Sequence, residues 1–132
     1  TVRAGAKLDI EGHARFKTYA ENSHAVTSSS NVVTLDLATA QTFTLTTSEP
    51  ITQFTLLNVP DGSTSFTVKI LQGSTAYGVG IATFKNLSGS AIPIPYVTRT
   101  AAKIDIYSFK TFDGGSATSA GFYAVVGGQN YS

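Results

Sequence analysis

The sequence predicts an all-β fold, an antiparallel β-sandwich of jelly-roll type preceded by an extended N-terminal arm. Three observations point to it. Apolar residues recur at every second position, which turns one face of an extended chain inward. Turn-forming clusters interrupt these runs about every ten residues. From Asn31 to the C-terminus no window combines a helical apolar stripe with capping residues.

The runs follow in order. In NVVTLDL, Val33, Leu35 and Leu37 share one face while Val32, Thr34 and Asp36 take the other. In QTFTLTT, Phe43 and Leu45 oppose Thr42, Thr44 and Thr46. Phe54 and Leu56 continue the pattern in TQFTLLNV, where the adjacent Leu57 calls for a bulge or burial on both faces. Phe66, Val68 and Ile70 follow in SFTVKIL, after the turn-forming VPDGS. GSTAYGVGIATF reads as a strand pair and NLSGS as a loop. IPIPYV places Pro93 and Pro95 where neither can donate to a ladder, so an edge or irregular crossing is expected. The last pair, KIDIYSFKTF and GFYAVVGG, joined by DGGSATSA, reads as a terminal hairpin. Residues 1–30 form an arm or linker with one strand in HARFKTYA, and residues 31–132 form the sandwich. No internal sequence repeat is visible.

Composition narrows the function. The 132 residues suit one domain with a single core. Charged residues make up 13%, and nine basic side chains nearly cancel eight acidic ones, so the chain lacks the field that attracts nucleic acid or anionic lipid. No cysteine is present, so disulfides, thiolate metal sites and cysteine nucleophiles are excluded. No apolar run approaches the ~20 residues of a helical membrane span, and TVRAGAKLDIEG lacks a signal-peptide core; the chain reads as soluble, without a membrane partner. It contains no Met, so Thr1 either follows a removed initiator or continues a longer chain.

Catalytic and metal-binding chemistry finds little support. Asp105 and Asp113 are the evident carboxylate pair, but eight residues of strand separate them by about 26 Å at ~3.3 Å each, beyond the ~5–9.5 Å of paired glycosidase carboxylates. Asp113-Gly114-Gly115 supplies one side-chain oxygen where a calcium loop needs several, and it reads as a turn. His13 and His24, with Glu11 and Glu21 nearby, are too loosely spaced for a metal site and read as surface histidines. Nucleophile-elbow, phosphate-loop and zinc-protease motifs are absent. The expectation is a protein without catalytic, metal or cofactor residues. Asn86-Leu87-Ser88 and Asn130-Tyr131-Ser132 match the N-glycosylation tripeptide, a short pattern that arises often by chance.

The aromatic residues suggest contact surfaces instead. If Ile104 and Ile106 face the core, then Tyr107 and Phe109 face away with Asp105, and Phe122 and Tyr123 cannot both point inward. A shifted register or a covering loop would hide them within one chain; otherwise Tyr107, Phe109, Phe122 and Tyr123 form a subunit contact. Arg15, Phe16 and Tyr19 supply similar groups on the arm. Tyr77, Tyr96 and Arg99, with the Gly73–Gly80 loop, are the candidates to face a glycan through stacking and hydrogen bonds.

Five blocks in this order, VVTLDLATAQTFTLT, ITQFTLLNVPDGSTSFTVKI, VGIATFKN, KIDIYSFKTFDGG and VVGGQNYS, resemble a small β domain of bacteriophage virion structural proteins, tail-fibre-like ones of marine and cyanobacterial phages among them. The resemblance covers the chain from about Gly12 onward. It departs where such domains often carry Trp-Pro-Gly-Gly, since this chain has SGSAIPIPYVTRT and no tryptophan. The resemblance implies a non-enzymatic component of the virion surface, on a tail fibre, an appendage or the capsid as a decoration protein. It also implies assembly with itself as a homotrimer and with other virion proteins. It transfers no catalytic or cofactor residue. A glycan receptor-binding module is the reading from another class.

Overall fold

The computed structural model of the chain describes residues 10–80, 97–112 and 122–132, whose regular structure is strand throughout. The strands are β1 (Ser23–Val26), β2 (Ser28–Ser29), β3 (Val32–Asp36), β4 (Thr42–Thr47), β5 (Gln53–Leu57), β6 (Thr64–Gln72), β7 (Ile104–Thr111) and β8 (Tyr123–Tyr131). They form a five-stranded sheet in the order β1-β4-β6-β7-β8 and a three-stranded sheet in the order β2-β3-β5. The all-β, two-sheet architecture is the one the periodicity predicts. Val33 and Leu35 of β3, Phe43 and Leu45 of β4, Phe54 of β5, and Phe66, Val68 and Ile70 of β6 all join one buried cluster. Phe66 lies at an aromatic centre: it stacks on Phe109 at 4.9 Å between ring centroids and meets Phe122 and Phe43 edge-on at 5.1 and 6.3 Å. Such pairs add ~0.5–1.5 kcal/mol each to the free energy of burying the rings.

The pairing corrects the antiparallel expectation. Antiparallel ladders join β2 to β3, β6 to β7 and β7 to β8, but β1 and β4, β3 and β5, and β4 and β6 run parallel. From β3 to β6 successive strands alternate between the two sheets, so the links 37–41, 48–52 and 58–63 arch over the core instead of closing hairpins. Parallel partners need a connection of about a dozen residues or more. Residues 37–52 separate β3 from β5, and 48–63 separate β4 from β6; each crossover carries a strand of the opposite sheet where other folds place a helix. Jelly-roll connectivity is therefore not what links β3 to β6. A period of two reports which face is buried and is the same for either pairing, so the sequence was silent on direction.

Short polar contacts set the arches. The Asp36 carboxylate accepts from the Ala38 amide at 2.9 Å and from Asn58 Nδ2 at 2.8 Å, tying the first arch to the third. The Asn58 hydrogen bond, then that of the Ala38 amide, holds the Asp36 carboxyl below its ordinary range. Ser30 and Asn31, at φ 54° and 65°, make the two-residue turn between β2 and β3, the left-handed pair that suits a tight hairpin. Asn31 then donates through Nδ2 to the Pro50 carbonyl at 2.7 Å and accepts at its own carbonyl from the Thr52 amide at 2.8 Å, fastening the second arch.

The N-terminal region also differs from expectation. Residues 10–22 are exposed and carry no strand, so the one expected in HARFKTYA is absent there; the first strand starts at Ser23. Ser23–Val26 and Ser28–Ser29 already belong to the two sheets, so strand pairing begins before residue 31, where the sequence placed the start of the sandwich. Thr42 anchors the chain just before β1, its amide donating to the Asn22 carbonyl and its hydroxyl to Glu21. Residues 73–80 hold only a bridge between Val79 and Ile51 in place of the expected strand pair, whose remainder lies outside the described residues. The NLSGS loop, both prolines of IPIPYV and the DGGSATSA turn also lie outside them. Leu57 projects outward, so β5 needs no bulge to accommodate it.

Candidate functional site

β7 inverts the face assignment made from sequence. Asp105, Tyr107, Phe109 and Thr111 point into the core, opposite Ile70, Val68, Phe66 and Thr64 of β6, while Ile104, Ile106, Ser108 and Lys110 face outward. The strand carries large apolar groups on both faces, so its own pattern does not choose between them. The alternative would bury Lys110 and turn Tyr107 and Phe109 into water, and the Phe66 stack decides against it.

That choice buries a carboxylate, which finds donors from three segments. Asp105 accepts from the backbone amide of Thr98, from the Thr98 hydroxyl at 2.7 Å and from the Asn130 amide at 2.8 Å; the Tyr107 hydroxyl lies 3.4 Å away. Gln129 Nε2 donates to that hydroxyl at 2.8 Å. An irregularity in β8 creates the arrangement: Ile104 pairs with Tyr131 and Ile106 with Gly128, so Gln129 and Asn130 stand opposite Asp105, with Asn130 at φ 61°. Burial, then the Asp105 charge, pushes the Tyr107 hydroxyl well above the ordinary tyrosine range. With its oxygens engaged by protein donors, the carboxylate acts as a tie between β7, β8 and the Thr98 segment. Asn130, singled out earlier only within a glycosylation tripeptide, has its backbone amide in this cluster.

Of the contact residues predicted on the hairpin, Tyr107, Phe109 and Phe122 thus lie in the protein's own core, at 1%, 2% and 0% exposure. For Tyr107 and Phe109 the cause is the inverted face of β7, whose register against β6 is regular. Tyr123 remains half-buried at the surface. Phe112, which directly follows the last residue of β7 and was not singled out from sequence, is 63% exposed, and its ring centroid lies 6.3 Å from that of Tyr123. On the arm, Arg15 is exposed, and Phe16 and Tyr19 reach 66% and 78% exposure. Tyr19 also lines an open groove of about 340 Å³ between the base of the arm and the 37–41 arch.

The Gly73–Gly80 loop is fixed by a buried amide. Gln72 Oε1 accepts from the Thr47 hydroxyl at 2.7 Å and from the Tyr77 amide at 2.9 Å, while Nε2 donates to the Tyr77 carbonyl at 2.9 Å. Arg99, exposed, lays its guanidinium against Gly78, where Nη2 stands 2.9 Å from the place a Cβ would occupy. The structure thus brings Arg99 to the loop that holds Tyr77; Tyr96 lies outside the described residues. His13, His24, Glu11 and Glu21 are exposed, and no group of three or more metal-ligating side chains gathers among the described residues. Asp113 also lies outside them. No described helix is long and apolar enough to cross a membrane. No protein-family model, curated protein or solved structure matches the chain.

Proposed function

We propose that the protein is a non-enzymatic structural module of a bacteriophage particle, at the virion surface, assembling with itself as a homotrimer and fastened to its neighbours by the N-terminal arm. The observation that carries this reading is the state of residues 10–22. They lack regular structure yet hold three large apolar side chains in water, Ile10, Phe16 and Tyr19, beside Arg15. Exposed apolar groups on an extended segment gain free energy when a partner covers them, at roughly 25 cal/mol per Å². The arm serves this purpose on a tail fibre or on a capsid alike. The resemblance of the five sequence blocks to phage virion domains supplies the biological setting.

Light scattering on the purified chain tests the assembly. The expected result is a trimer that Phe16→Ala/Tyr19→Ala converts to a monomer with an unchanged circular dichroism spectrum, whose melting temperature no longer depends on protein concentration. A parent chain that stays monomeric at high concentration and fails to bind particles lacking it overturns the reading.

A further inference from the structure

We propose that the outer face of the five-stranded sheet binds an acidic polysaccharide, through Lys69 and Lys110, the hydroxyls of Thr67 and Ser108, and the rings of Phe112 and Tyr123. Strand register places these groups together. Thr67 pairs with Ser108 and Lys110 with Tyr123 across adjacent strands, while Lys69 pairs with Ile106; all project away from the core. Thr67 and Ser108 share a hydrogen bond of 3.1 Å, so one remaining hydroxyl hydrogen and several lone pairs face outward. Lys110 holds its ammonium 5.5 Å from the centroid of the Phe112 ring, orienting a side chain that is otherwise 63% exposed.

The chemistry of the strip selects its ligand. The two exposed charges projecting from the outer faces of β6 and β7 are both lysines, standing roughly 14 Å apart on either side of the hydroxyl pair, at ~3.3 Å per residue and ~4.8 Å per strand. A chain that offers carboxylates at intervals, hydroxyls between them and apolar ring faces for stacking matches all three groups; acidic polysaccharide is that chain. A nucleic acid would seek a denser array of cations than two lysines on a nearly neutral protein. The strip runs from Phe112 and Tyr123 at the Thr64–Thr111 end of the sheet inward to Lys69, whereas Arg99 and the Gly73–Gly80 loop lie beyond the opposite end of β6 and β7, so this is a different surface from the glycan-facing one suggested by the sequence. It sits within one chain and does not rest on assembly through the arm.

Isothermal titration of the full chain with polygalacturonate, dextran and single-stranded oligothymidylate tests the proposal. Polygalacturonate should bind and dextran should not. Lys69→Gln/Lys110→Gln should weaken polygalacturonate binding about ten-fold or more, and Phe112→Ala by a similar factor, with melting temperatures unchanged. Lys17→Gln, which removes one such charge from the N-terminal segment, should leave the affinity as it is, and Phe16→Ala/Tyr19→Ala should leave the affinity per site as it is. The proposal is overturned by no polygalacturonate binding, by equal loss in Lys17→Gln, by undiminished binding in the sheet variants, or by tighter binding of the oligonucleotide.

Discussion

The carboxylate of Asp105 accepts hydrogen bonds from both the backbone amide and the hydroxyl of Thr98, so a buried acid on β7 holds a segment seven residues away in sequence. The Asn130 amide approaches the same group from β8. Removing the acceptor strands these donors in a site that is 1% exposed. Asp105→Ala should therefore lower unfolding free energy by about 3–4 kcal/mol, and Asp105→Asn, which keeps one acceptor, by about 1–2 kcal/mol. Urea denaturation gives both values; an alanine variant as stable as the parent would remove the tie from the account.

Tyr107 makes the fold sensitive to alkali. Its hydroxyl has a higher pKa in the folded chain than in the unfolded one, because burial and the Asp105 charge oppose ionisation. The associated stability is complete below about pH 10, the unfolded tyrosine value, and is lost as pH rises from there through the folded value. Urea midpoints for parent and Tyr107→Phe should run parallel from about pH 7 to 9 and converge above about pH 10. Curves that stay parallel through that range contradict the assignment.

Two glycines in one loop should respond oppositely. A Cβ on Gly73 would stand 2.6 Å from the Thr47 carbonyl oxygen, whereas one on Gly80 would meet the Ile51 carbonyl at 3.5 Å, an ordinary contact. Gly73→Ala should cost about 1–3 kcal/mol through overpacking. Gly80→Ala should be neutral or stabilise by about 0.5 kcal/mol, by restricting the unfolded chain. Thermal melts of the two variants check the order.

Ser28 Oγ is the one buried side-chain oxygen or nitrogen among the described residues that lacks a hydrogen-bond partner. Its inward position opposite Val33 follows from the β2–β3 register. Ser28→Ala should hold stability level or raise it by up to about 1 kcal/mol, since no hydrogen bond is lost and a desolvated hydroxyl is removed. A destabilisation above about 1 kcal/mol would mean that the hydroxyl has a partner.

The inward residues of β3, β4, β5 and β6 were legible because each strand has one apolar and one polar face; Val33, Leu35, Phe43, Leu45, Phe54, Phe66, Val68 and Ile70 lie where the alternation puts them. The same rule failed at β7, where isoleucines on one face balance Tyr107 and Phe109 on the other. Only the neighbouring strand breaks that tie. Asp105 was misread with them, as a buried carboxylate looks like a surface one until its donors from residues 98 and 130 are in place.

By itself the sequence determined an all-β chain, the core faces of its central strands and a final hairpin, because side-chain alternation and turn chemistry act within a few residues. The tertiary structure decided that β3 to β6 pair in parallel across arches, that β7 turns Asp105 and Tyr107 inward, and that Lys69, Lys110, Phe112 and Tyr123 share an outer surface. Those outcomes depend on strand register and on contacts between segments far apart in the chain, which local alternation does not encode.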